Sequence, residues 1–167
     1  MQTRWQYFNV ATKKSPEKRL QRLWYGSRDS ARTPVQWSAE ENAGFTTGTP
    51  WFYVNENYPQ INVAQQEEDE NSVLNFYRKA VKLRKELPCV KEGLYKEHCK
   101  NSKSVYTYSR TAQNQKLLVV CSFSEKEQQW KAPNEFDLNT AEMVLANYEN
   151  SDTNTLKPYE TRVYLWG

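Results

Sequence analysis

Ser27-Arg28-Asp29-Ser30-Ala31-Arg32-Thr33-Pro34-Val35-Gln36-Trp37, continued by Asn42-Ala43-Gly44-Phe45-Thr46-Thr47-Gly48-Thr49-Pro50-Trp51, is the stretch on which the reading of this chain turns. It has neither the 3.6-residue period of a surface helix nor the alternation of a strand, so it reads as loop. Pro34 and Pro50 stiffen that loop and Trp37 and Trp51 anchor it. Arg28, Asp29 and Arg32 therefore sit on a held segment rather than a floppy one. A guanidinium held in place presents a rigid fork of donors that suits vicinal sugar hydroxyls or a carboxylate. An Arg–Asp pair tying the loop to itself is the competing reading for Arg28 and Asp29. From Ser27 to about Val63 the chain stays aperiodic and rich in Pro, Gly and aromatic residues, and loops of such length inside packed domains are uncommon unless functional or disordered. Trp37, Phe45 and Trp51 are expected to pack beneath this loop rather than to stack on ligand.

Periodicity returns on both sides. Upstream, Ser15-Pro16-Glu17 reads as an N-cap, a first-turn proline and a first-turn acid, opening a short helix that Gly26 ends. Downstream, Glu67, Glu68, Asp69 and Glu70 precede a helical pattern of Val73, Leu74, Tyr77, Ala80, Val81, Arg84 and Leu87 that stops at Pro88. Acids at that end suit the helix dipole, so the cluster reads as a solvated face. Beyond Pro88 the period becomes two, over Val105–Ser109, Leu117–Phe123, Glu142–Ala146 and Thr161–Trp166, with polar turns between. This pattern predicts an antiparallel β-sandwich of roughly eighty residues. On its strands, alternation predicts a buried or cross-strand setting for Tyr106, Tyr108, Tyr164 and Trp166.

Composition narrows the function classes. The 167 residues are 38% hydrophobic and 14% aromatic, with a mean hydropathy of −0.95. That is polar for a complete domain yet too aromatic for a disordered chain. Lys and Arg total 23 against 20 acids, for a net charge of +3. The charges are well mixed and form no basic stripe for a nucleic-acid backbone. The three cysteines, Cys89, Cys99 and Cys121, make no C-x-x-C pair and are expected to be reduced thiols in a cytoplasmic protein. No apolar leader or membrane-length run occurs, so neither export nor membrane insertion is expected. No cofactor or metal is called for, because nucleotide-binding glycine motifs and ligand clusters are missing.

Catalytic constellations fare no better. His98, the single histidine, lies in a charged segment and reads as a solvated surface residue. Ser15-Pro16-Glu17-Lys18 matches S-x-x-K, but the S-D-N and K-T-G partners of that pattern do not occur, and a helix cap accounts for Ser15.

The quoted stretch resembles the S-R-D-N-x-R-T-P-M-x-W segment, with N-A-G-F-T and T-P-W after it, of the oligo-1,6-glucosidase branch of the α-amylase superfamily of retaining glycoside hydrolases. Asn71-Ser72-Val73 with Tyr77-Arg78-Lys79 and Leu83-Arg84-Lys85 resembles that family's last barrel helix. Leu156-Lys157-Pro158-Tyr159-Glu160 with Val163-Tyr164 resembles its C-terminal β-domain. Ser30 replaces the usual Asn and Val35 the usual Met, one polar and one apolar exchange.

The resemblance implies the C-terminal end of an incomplete (β/α)8 TIM barrel over residues 1–88, followed by an antiparallel β-sandwich over 89–167. In such barrels the active site lies at the C-terminal ends of the strands. The family's nucleophilic Asp, acid/base Glu and third Asp follow earlier strands, and no residue here matches their motifs. A retaining mechanism needs two carboxyl groups about 5 Å apart, so no catalytic residue is expected in this chain. The arginine of A-R-T-P, Arg32, is implied to bind the non-reducing terminal glucose, with Arg28, Asp29 and Trp37 supporting the loop. The implied parent acts on α-linked glucose oligosaccharides, and the implied partner is the missing N-terminal part of the barrel. A non-catalytic carbohydrate-binding or scaffold module stays open as an alternative, as do trehalose-6-phosphate hydrolase and sucrose isomerase. With the strands of the barrel missing, the helix at Ser72 to Leu87 is expected to leave its apolar stripe in water.

Overall fold

The computed structural model describes Ser15, Glu17, Lys18 and residues 31–149 and 152–167. Most of the short helix expected from Ser15 to Gly26, and both Arg28 and Asp29, lie outside the described residues. The chain divides into two units, Met1–Gln65 and Gln66–Gly167.

In the first unit, residues 32–62 are loop, broken by a 3-10 turn at Glu41–Gly44. The second unit is built on helix α2 (Val73–Glu86), a short α3 (Pro88–Glu92) and seven strands. Helix α1 (Val63–Glu68) spans the division between the units. The strands are β1 (Leu94–Glu97), β2 (Val105–Thr111), β3 (Lys116–Ser122), β4 (Gln128–Gln129), β5 (Glu142–Ala146), β6 (Thr155–Leu156) and β7 (Thr161–Trp166). Five of them form one antiparallel sheet in the order β1-β2-β3-β7-β5, and β4 pairs with β6 in a second, two-stranded sheet. No barrel closes among the described residues.

Alternation sorts the side chains of the large sheet onto two faces. Val105, Leu118, Val120 and Tyr164 point to one face, where Trp130, Phe136 and Leu156 from the β4–β6 side close over them. Here Trp130 Nε1 donates to Thr107 Oγ1 at 3.0 Å, which satisfies the indole of a ring that is otherwise fully desolvated. Leu117, Val119, Leu145 and Val163 point to the other face.

That second face meets part of the stripe expected to stay in water. Phe76, Ala80, Leu83 and Leu87 of α2 and its exit pack with Val90 against it. Of the expected stripe, Ala80 and Leu87 are thus covered by the sheet. Its other flank stays in solvent, with Val73 80% and Tyr77 67% exposed.

The start of α2 is fixed from outside the helix. Ser72 caps it by accepting from Asn75 N–H at 3.2 Å, and Ser72 Oγ donates to Gln66 O at 2.6 Å. Asn75 Nδ2 donates to Gln66 O and Asp69 O, each at 2.9 Å. These bonds supply partners that a helix start lacks and so lock the acidic segment onto α2.

Candidate functional site

The loop that carries Arg32 is held by backbone and side-chain bonds on both sides. Pro34 is buried while Arg32 is exposed. Asn55 Nδ2 donates to Thr33 Oγ1 and to Gln36 Oε1, each at 3.5 Å. Gln36 Nε2 donates to Ile61 O, and Val63 N–H donates to Gln36 O at 2.8 Å. Among the described residues, no ion pair involves Arg32.

The Asn42-Ala43-Gly44 turn explains its own sequence. All three residues are left-handed, with φ of 52°, 58° and 64°. Asn tolerates that region and Gly has no Cβ to strain. A Cβ on Gly44 would also meet Ser38 Oγ at 2.5 Å. The turn lets both Trp37 N–H and Ser38 N–H donate to Ala43 O, at 2.9 and 3.1 Å, while Asn42 Nδ2 reaches Thr46 O at 3.3 Å and Gly48 O at 3.4 Å. The loop closed by this turn does not bury its rings as expected. Trp37, Phe45 and Trp51 are 51%, 45% and 65% exposed, because the turn spends its bonds on backbone closure and the rings stand outside it.

The acidic cluster takes the structural role. Glu67 is clamped by Arg78, with Nη2 to Oε1 at 2.6 Å and Nη1 to Oε2. That hydrogen-bonded guanidinium, against a smaller opposing effect of burial, holds the Glu67 carboxyl below the ordinary carboxylate range. Asp69 accepts from Asn71 N–H at 2.9 Å. No group of three or more metal-ligating side chains occurs among the described residues, and no described helix is long and apolar enough to cross a membrane. Cys89, Cys99 and Cys121 are free thiols.

His98 departs from the sequence reading. Its side chain is only 6% exposed: the backbone N–H of His98 donates to Thr107 O at 2.9 Å, and the ring stands edge-on to Phe136 at 5.6 Å. Nε2 shares a hydrogen bond with Ser109 Oγ at 2.9 Å, and Nδ1 lies 3.8 Å from Glu135 Oε1. The order Ser–His–Glu is that of a hydrolase triad. It fails as one because Ser109 is 2% exposed and points into the sheet's packed face, where no substrate carbonyl can reach.

Burial holds the His98 pKa below its ordinary value of 6.5, with Glu135 pulling it up and Lys96 pushing it down. The unfolded chain then binds the proton more readily, so stability rises with pH across this window. The contribution is complete above about pH 6.5 and is lost as the pH falls toward the folded-state pKa. The melting temperature is expected to drop between about pH 7 and pH 5, and His98→Gln should flatten that slope. An identical slope in the variant would assign it to other groups.

The comparisons with known proteins meet this geometry at the loop and at α2. Residues 3–93, more than half of the chain, match the family model described as alpha amylase, catalytic domain. The chain belongs to the alpha-amylase family. The family match covers the Arg32 loop, all of α2 and α3. An oligo-1,6-glucosidase of Parageobacillus thermoglucosidasius is 40% identical over 154 residues, 89% of this chain but 27% of that protein. A trehalose-6-phosphate hydrolase of Bacillus subtilis (strain 168) is 43% identical over 143 residues, 83% of this chain and 26% of that protein. The crystal structure of the Bacillus licheniformis trehalose-6-phosphate hydrolase superimposes with a TM-score of 0.84 at 36% identity, covering 93% of this chain and 29% of that one. This member of the alpha-amylase family thus spans about a quarter of the length of the curated relatives it matches.

Proposed function

We propose that this chain supplies the C-terminal end of a retaining α-glucosidase of the oligo-1,6-glucosidase type, with Arg32 holding the non-reducing terminal glucose of an α-linked oligosaccharide. Residues 1–88 are the barrel portion and 89–167 the C-terminal domain. The observation that carries the reading is the exposed Arg32 beside a buried Pro34, on a loop fixed through Thr33, Gln36 and the left-handed turn. A fixed loop places the Arg32 backbone before ligand arrives, so only the side chain has to be ordered for its fork to meet two hydroxyls. Arg28 and Asp29 act as its supports, together with Trp37. The preceding barrel portion is the partner, and the exposed flank of α2 at Val73 and Tyr77 supports a docking face for it, since a helix of a complete barrel is covered on the side toward the strands. The trehalose-6-phosphate hydrolase relative is as similar through this region as the oligo-1,6-glucosidase, so the choice between these substrates rests on residues outside it.

Hydrolysis with retention takes a nucleophilic carboxylate and a proton donor on opposite sides of the scissile bond. One oriented arginine binds the sugar and supplies neither. The homogeneous chain is therefore expected to show no turnover of p-nitrophenyl α-glucoside above a buffer blank. Mixing it with a polypeptide carrying the earlier part of an oligo-1,6-glucosidase catalytic domain should produce activity. Turnover by the chain alone would refute the assignment, and tight binding of isomaltose by the chain alone would favour a carbohydrate-binding module instead.

A further inference from the structure

The second unit holds a cavity of about 310 Å³ lined by Arg84, Val90, Lys91, Tyr95, Tyr108, Arg110 and Leu117. Arg84 comes from the last turn of α2 and Lys91 from the last turn of α3, where cations complement the helix dipole. The dipole accounts for one cation at each helix end. It does not account for both facing one cavity that Arg110 also lines. Arg110 is held from behind, with Nη2 donating to Val90 O at 2.8 Å and Nε to Cys89 O at 3.5 Å. No carboxylate lies within ion-pair distance of these three cations among the described residues. Three positive charges sharing a cleft without a counter-charge repel one another, and an anion between them relieves that repulsion.

The lining is also aromatic. The rings of Tyr95 and Tyr106 lie 5.7 and 5.6 Å from that of Tyr108, and the Tyr95 and Tyr106 hydroxyls are hydrogen-bonded at 2.7 Å. The bond to Tyr106 pushes the Tyr95 pKa up to about 12, and burial raises that of Tyr108. Both phenols stay neutral at pH 7 and offer hydroxyls and an apolar ring face, although the Glu97 carboxylate on the same strand also acts on Tyr95. Ligand cavities start at roughly 300 Å³, so this one suits a ligand of monosaccharide size.

We propose that this cavity binds a phosphorylated sugar, with the phosphate on Arg84, Lys91 and Arg110 and the sugar ring along Tyr95 and Tyr108. The site involves neither Arg32 nor glycosidic chemistry, so it stands apart from the proposed activity.

The test is titration of the 167-residue chain with glucose 6-phosphate, inorganic phosphate and glucose, read by calorimetry and by the NMR signals of the tyrosine rings. Glucose 6-phosphate should bind more tightly than phosphate and phosphate more tightly than glucose, and the Tyr95 and Tyr108 signals should shift. Arg84→Ala and Lys91→Ala replace exposed side chains and should each weaken binding about tenfold, the size of one charge-assisted hydrogen bond, with the melting temperature unchanged. No binding of glucose 6-phosphate at about 10 mM would overturn the proposal, since a competent site of this kind is stronger than that. Undiminished binding by the Arg84→Ala/Lys91→Ala double variant would overturn it equally. Equal affinities for phosphate and glucose 6-phosphate would overturn the placement of the sugar ring on the tyrosines.

Discussion

Glu160→Ala is expected to remove about 3–5 kcal/mol of stability, the cost of breaking a buried ion pair and stranding its partner. Glu160 and Arg162 are 0% and 1% exposed. Their contact is bidentate, Nε to Oε1 at 2.8 Å and Nη2 to Oε2 at 2.9 Å. Glu160 Oε2 also accepts from Lys157 N–H at 2.7 Å, and Arg162 Nη2 donates to Thr155 O at 2.5 Å. The pair thus ties the turn before β7 to strand β6. Burial favours the neutral guanidine, but the bonds from Glu160 and Tyr164 outweigh it and raise the Arg162 pKa. Removing Glu160 leaves a guanidinium in a packed core that also holds Leu118, Val120 and Leu156. Domains of this size have only about 5–15 kcal/mol in total, and each kcal/mol moves the melting temperature by about 4–8 °C. The midpoint should fall by at least about 12 °C in a thermal melt. Replacing both residues, as in Glu160→Met with Arg162→Met, should recover most of the loss, because no lone charge remains. A single variant within about 1 kcal/mol of the parent would mean that water reaches the pair.

This pair was half legible. Leu156 to Tyr164 reads as a β-domain ending by resemblance, and alternation places Arg162 on the same face as Tyr164. Nothing in a single sequence says that a charged residue on that face faces inward, because the partner is only two residues away and looks like a neighbour on a turn. Strand β2 was legible through its alternation of buried and more exposed residues, and β3, β5 and β7 as short runs rich in apolar residues between polar turns. Strand β1 was not: Leu94, Tyr95 and Lys96 are all exposed at the sheet edge, so burial imposes no period on them. Helix α3 was masked by Pro88, which ends α2 in the sequence pattern yet also starts a new helix, as proline can in a first turn. His98 was misread because its charged sequence neighbours, Lys96, Glu97 and Lys100, say nothing of Phe136 and Ser109 across the fold. At the Arg32 loop, the Gly44 and Asn42 requirements follow from backbone geometry, whereas ligand binding by Arg32 comes from the resemblance.

Arg32→Ala, placed in an enzyme completed by the rest of the barrel, is expected to lower kcat/KM by about tenfold to a few hundredfold, the loss of roughly 1.5–3 kcal/mol of charge-assisted hydrogen bonding. Two hydroxyls of a terminal glucose offer acceptors at a spacing that one guanidinium fork can span, and a closed site removes the competing water. Arg32→Lys should restore little, since an ammonium is a point donor and cannot bridge both hydroxyls. The buried Pro34 and the bonds through Thr33 and Gln36 hold the loop without the Arg32 head group, so the melting temperature should stay unchanged in both variants. A substrate whose terminal sugar lacks its 4-hydroxyl provides the internal control. It leaves the arginine one acceptor short, so the parent enzyme should lose rate on it while the variant loses almost nothing further. The two defects are then non-additive, as expected of groups that act on each other. If Arg32→Ala instead keeps kcat/KM within about twofold and lowers the melting temperature, the side chain is a tether for its loop and has no part in holding the sugar.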